Sequence, residues 1–133
     1  MQPEIIKLSL SRLQKAKSDY DASLILFHED LLLQALNRAY YAIFHSVKAL
    51  LALDSFETKK HSGVIAYFNE HYVKTGIFDK ELSKIFMGAE NKRNLSDYDD
   101  FFEITKEDVK IQIDRTNLFI NKIREYLNTK GVI

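Results

Sequence analysis

Gln34, Arg38, Tyr41, His45 and Lys48 recur at steps of four, three, four and three, the repeat that brings side chains onto one face of an α-helix. A guanidinium, a phenol, an imidazole and an ammonium in one row can grip an oxyanion or move a proton. On a helix otherwise rich in apolar residues, Arg38 and His45 must be exposed, paired or set along a cleft, because burying either unpaired is costly. Three readings stay open at this point. The row is the helix's one solvent-facing strip, a polar groove or dimer seam that holds a ligand, or a purely structural network of hydrogen bonds.

A second constellation is Lys92-Arg93-Asn94-Leu95-Ser96-Asp97-Tyr98-Asp99-Asp100, charges of both signs around one tyrosine. It falls where a helical pattern fades, and irregular backbone on a rigid scaffold is a favoured place for function. The plainer alternative is a solvated turn with Arg93 paired to Asp97. A Mg²⁺ site built from Asp97, Asp99 and Asp100 is weakly supported, since such triads are common in loops.

Much other chemistry is disfavoured. The chain lacks cysteine, which removes disulfides, thiolate zinc sites and thiol catalysis together and fits a reducing compartment. His28, His45, His61 and His71 show no metal-ligand spacing, so no metal and no cofactor is expected. Gly63, Gly76 and Gly88 form no phosphate loop, and the adjacency of His61 and Ser62 is no sign of a hydrolase. Formal net charge is zero, whereas domains that grip nucleic acid unaided usually carry a basic excess. Any such grip would have to be local or assembled across a dimer. The N-terminus lacks the features of a signal peptide, and the longest apolar stretch, around Ala49 to Leu53, is too short to cross a bilayer. A cytoplasmic protein without membrane contact is expected.

The elements that would position these groups are helices. With 133 residues, one proline and four glycines, the chain fits one domain over 1–133 with few turns. A first helix is expected over Glu4–Phe27, with Ile6, Leu10, Leu13, Lys17, Tyr20, Leu24 and Phe27 as its seam. A second, over Leu31–Leu53, is apolar around most of its circumference and belongs in the middle of a bundle. A third covers Ser62–Lys74 and stops at Thr75-Gly76. A fourth, capped by Asp79, reaches Asn94, and Leu95–Phe102 is expected as a loop. Thr105-Lys106-Glu107-Asp108 matches a capping box that opens a fifth helix to Asn128. The fold class is therefore all-α, a compact up-and-down bundle of about five helices.

Three segments together resemble the HEPN family of small helical domains: Asn37–His45, Lys60-His61-Ser62-Gly63-Val64-Ile65, and Arg93-Asn94-Leu95-Ser96-Asp97-Tyr98-Asp99. Val73-Lys74-Thr75-Gly76 adds to the likeness, which spans nearly the whole chain in the expected order. The resemblance implies a helical bundle that forms a homodimer with a cleft between protomers. Many HEPN proteins are metal-independent ribonucleases that act as toxins beside a nucleotidyltransferase antitoxin. Their hallmark is Arg followed by a polar residue, then His after four to six residues. Arg93 and Asn94 match its start, and Tyr98 stands where the His would be. That departure weakens the catalytic reading, because a phenol titrating near about 10 is protonated at neutral pH and makes a poor base. Arg93 retains the fork of donors that holds a phosphate.

Arg38 and His45 satisfy the same spacing but lie mid-helix, so they are not the family motif. They would share the site if the second helix lines the cleft of Arg93, His45 then supplying the missing imidazole. The resulting set is Arg93, Tyr98 and His45 for catalysis, with Arg38, Tyr41, Asn94 and Asp97 for ligand binding. Three functions follow: an RNA-cleaving or RNA-binding toxin-like protein, a non-catalytic module for a nucleotide or a nucleotidyltransferase partner, or a structural homodimer. In the first setting the antitoxin modifies a tyrosine near the motif, and Tyr98 is the candidate.

Overall fold

The longest helix begins at the only proline, Pro3, whose fixed φ and missing N–H suit a first turn. This helix, α1 (Pro3–His28), turns back through three residues into α2 (Leu32–Leu53). Asp30 makes that reversal in the left-handed region at φ 59°, a conformation that Asp tolerates better than most residues. The connection is too short for anything but an antiparallel pair. The computed structural model describes residues 1–133 and continues with α3 (His61–Phe68), α4 (Lys80–Tyr98) and α5 (Lys106–Thr129). All elements are helical, in an up-and-down bundle with α2 packed against α1, α3, α4 and α5.

The α1 seam differs from the hydrophobic periodicity. Ser9, Leu13, Ala16, Ser23 and Phe27 are buried, whereas Leu10 is exposed and the Lys17 ammonium pairs with Asp21 in solvent. Ser9, Ala16 and Ser23 recur every seven residues and face a helix that buries Ala35, Ala39, Ala42, Ser46 and Ala49. Small side chains on both sides let the two backbones approach closely, and Ser9 Oγ donates to the Ala49 carbonyl at 2.9 Å. A hydropathy reading places serines outside; here hydrogen bonds to carbonyls make their burial cheap. Ser23 and Ser46 each donate to a carbonyl three residues back in their own helix.

The main core gathers Tyr40, Phe44, Leu50, Phe68, Tyr72, Phe86, Phe119 and Leu127 around α2, and a smaller one joins Phe27 and Leu36 to Val109 and Ile113. The apolar excess of α2 is absorbed within this one chain: of its large apolar residues only Leu33 is clearly exposed.

Two further boundaries are corrected. The third element ends its α-helical part at Phe68 and finishes in a single π turn, Asn69–Val73, a widening often found at functional places. Helix α4 does not stop at Asn94 but runs to Tyr98. Ser96 Oγ donates to the Arg93 carbonyl, Asp99 N to the Leu95 carbonyl, and Arg93 and Asp97 form an i,i+4 ion pair that supports the extra turn. Two caps lie where the sequence puts them, Asp79 accepting from Glu81 N and Thr105 from Asp108 N.

Candidate functional site

The side chain of Tyr41 is the hub of the site. Arg38 lies one helical turn before it on α2 with Cζ 5.0 Å from its ring centroid, and His45 lies one turn after it at 6.0 Å between rings. From α4, Arg93 reaches across with Cζ 5.9 Å from the same ring and 4.8 Å from that of Tyr40. From the start of α3, His61 meets Tyr41 edge-on at 5.8 Å. Three helices thus set two guanidiniums and two imidazoles around one phenol. Cations over aromatic faces are attracted to the ring quadrupole, and more strongly when partly desolvated.

Arg93 is more enclosed than Arg38 or His45, its side chain only 14% exposed against 39% and 26%. Nη1 donates to Asp97 at 3.3 Å and Nη2 to Asn94 at 3.0 Å, while Nε is buried without a partner. The two partners point to different grooves. Asp97 and Arg38 line one of about 460 Å³ with Gln34, Asn37 and Ser96. Asn94 lines another of about 490 Å³ with Ser62, Asn69, Glu90 and Asn91. The arginine is thus bonded to one residue of each groove.

Asp19 on α1 holds the α2 row from behind. It accepts from Arg38 Nη1 at 3.0 Å and faces His45 Nε2 at 3.6 Å, too long for a hydrogen bond. Burial keeps the His45 imidazole below its ordinary value; Asp19 opposes this, and Lys15, Arg38 and Lys48 reinforce it. The ring is therefore neutral at pH 7, the state a proton acceptor needs.

The His61 ring is stacked on Phe44 at 4.5 Å, and its Nδ1 is 2.8 Å from the Tyr40 hydroxyl. Burial and the charge of Arg93 lower its affinity for a proton, with Glu90 opposing. Tyr40 is fully buried, and that burial pushes its hydroxyl far above the ordinary phenol value, so it stays protonated. Neither residue figures among the expected site residues. Tyr40 reads as core from its periodicity, and only the general need of a buried phenol for a polar partner hints at more. His61 lies in one of the family-like segments, but nothing local ties it to Arg93. Asp19 is one of three acids on α1, and nothing in its spacing sets it apart.

The remaining expected residues divide. Arg38, Tyr41, His45, Arg93, Asn94 and Asp97 come together as described. Tyr98 does not join them: five residues past Arg93 it is turned about 140° around α4 and is 82% exposed. Nor do Asp97, Asp99 and Asp100 converge, since Asp97 turns to Arg93 and Asp99 Oδ1 accepts from Phe101 N. No three His, Asp or Glu side chains gather as metal ligands. Lys48, the far end of the row, is tied to Glu57 and the Thr58 carbonyl.

Comparison with known proteins agrees with this architecture. The HEPN domain family model matches residues 10–126. A protein of Methanocaldococcus jannaschii named "Putative toxin MJ0142" is 36% identical over 121 residues, 91% of this chain and 82% of that protein. "Putative toxin MJ0605" of the same organism is 36% identical over 84% of this chain and 83% of its own length. A "UPF0332 protein" of Thermotoga maritima is also 36% identical, over 86% of each chain. No helix is long and apolar enough to cross a membrane.

Proposed function

The chain belongs to the HEPN family, and from that premise we propose that it acts on RNA as the toxin-like member of a toxin–antitoxin pair. The observation that carries this reading is the crowding of Arg38, Arg93, His45 and His61 around Tyr41. A chain of zero net charge here concentrates cationic and imidazole groups in one place. Phosphate neutralisation needs such a local excess.

In this reading Arg93 and Arg38 hold the phosphodiester, and His45 takes the 2′-hydroxyl proton. The freed 2′-oxygen attacks the adjacent phosphorus, the bond to the 5′-oxygen breaks, and a proton from water reaches that leaving oxygen. The products are a 2′,3′-cyclic phosphate and a 5′-hydroxyl, and no metal is required. Tyr98 takes no part in this step. Exposed at the end of α4, it is open to an antitoxin enzyme such as a nucleotidyltransferase, which would modify its hydroxyl. The homodimer belongs to the same reading.

A second reading is favoured by one specific observation. Both Nη atoms of Arg93 already have protein partners, which suits a non-catalytic module for a nucleotide or a partner protein. Incubating the protein with tRNA and mRNA in EDTA, beside Arg93→Ala, separates the two. Cleavage by the wild type alone supports the enzyme, whereas retained RNA or partner binding without cleavage supports the module. Sedimentation showing only monomer at micromolar concentration would remove the dimer.

A further inference from the structure

We propose that His61 is a fixed N–H donor which, together with Arg93, seats one oxyanion of a phosphate group. The inference rests on the RNA reading for its natural ligand but makes a separate claim about what His61 does. Tyr40 is fully buried, and the one hydrogen-bond acceptor its hydroxyl meets is Nδ1 of His61, since Arg93 beside it can only donate. A phenol proton with nowhere else to go must be donated there, since leaving it unsatisfied in the core is the costlier arrangement. Nδ1 is then an acceptor, and in a neutral imidazole the proton must sit on Nε2.

Geometry supplies the direction. Nδ1 faces the buried Tyr40, so Nε2, on the far side of the ring, points away from the core, and no protein group hydrogen-bonds to it. Arg93 and His61 flank the same two rings. Arg93 lies over the faces of Tyr40 and Tyr41, and His61 lies beside both at 5.8 Å. Of the five N–H groups of Arg93, Asp97 and Asn94 occupy two, which leaves donors for a ligand. Protonating Nδ1 would make the Tyr40 oxygen an acceptor and leave its proton unsatisfied in the core, so Tyr40 also favours the neutral form. His61 is thus held as a donor and is barred from acting as the base. That leaves proton abstraction to His45, whose ring has no such lock.

The test uses protein with ¹⁵N-labelled imidazoles and a mixed-sequence single-stranded RNA. The long-range ¹H–¹⁵N spectrum at pH 7 should show His61 as the neutral Nε2–H tautomer, and Tyr40→Phe should admit the Nδ1–H form. RNA affinity should fall about tenfold in His61→Leu, the usual loss for one hydrogen bond to a charged group. It should hold within about threefold in His61→Gln, whose amide keeps a donor. An Nδ1–H tautomer in the wild type overturns the proposal. So does full affinity in His61→Leu where Arg93→Ala loses it, an outcome that leaves the RNA reading standing. If the wild type binds no RNA, that reading fails, and a titration with inorganic phosphate decides the inference. A His61 Nε2–H shift that disappears in Arg93→Ala supports the seat, and no shift in the wild type removes it.

Discussion

Two arginines reach α2 from neighbouring helices, and their surroundings could hardly differ more. Arg12 of α1 donates to the Lys48 carbonyl at 3.0 Å and to the Glu57 carboxylate, and Lys48 donates to Glu57 and Thr58. Every charge there has an answering group, and the guanidinium holds the Glu57 carboxyl below its ordinary value. Gly63 closes the same corner, because a Cβ there would come within 2.8 Å of Thr58 Oγ1. Arg93 instead keeps an unpartnered Nε, His45 stands 3.6 Å from Asp19, and His61 has a single bond, to the Tyr40 hydroxyl. Each region brings an arginine from a neighbouring helix onto α2. Closure by complementary charge makes the first a clamp, and incomplete closure leaves the second able to take a ligand.

The largest effect that sharpens this contrast is on RNA. Arg93→Ala should weaken RNA binding per folded molecule by about 10- to 100-fold, as expected for one charge-assisted contact to phosphate. Arg12→Met should do the reverse. It removes the clamp at a cost of about 1 kcal/mol, measured by urea unfolding, while RNA affinity per folded molecule stays at the wild-type level. If Arg12→Met weakened RNA binding as much as Arg93→Ala, the division into clamp and site would collapse.

A smaller effect follows from the imidazoles. His45 and His61 both bind protons less readily folded than unfolded, chiefly through burial. The unfolded chain therefore takes up more protons once pH falls below about 6.5, and stability drops from there toward the folded values. Above that pH these two groups add no slope. Thermal midpoints at pH 8, 6 and 5 check the trend, and the double variant His45→Gln, His61→Gln should flatten it. The smallest effect belongs to Tyr98→Phe, which should change stability by less than about 0.5 kcal/mol and leave any RNA cleavage intact. A large loss of cleavage would put Tyr98 into the chemistry and break the account of the cleft.

Local information carried most of the helices. Asp79 and Thr105 announce their caps because the cap and its recipient N–H lie within three residues. The end of α4 was less legible: Ser96, Asp97 and Asp99 read as turn formers, yet Arg93 pairs with Asp97 along the helix and carries it one turn further. The α1 seam escaped for a related reason, since Ser9 and Ser23 are polar by type and become interior only when hydrogen-bonded.

On its own, the sequence determined the row on α2, because side chains three and four apart on one helix are neighbours whatever else the chain does. It also put Arg93 and Asn94 at the late position that the HEPN likeness marks. Only the tertiary structure decided that Arg93 lies on Tyr40 and Tyr41, that Tyr40 reaches His61 twenty-one residues away, and that Tyr98 is left outside. Those meetings join α2, α3 and α4, and their geometry follows from how large and small side chains interlock across helices, which spacing along one helix does not encode.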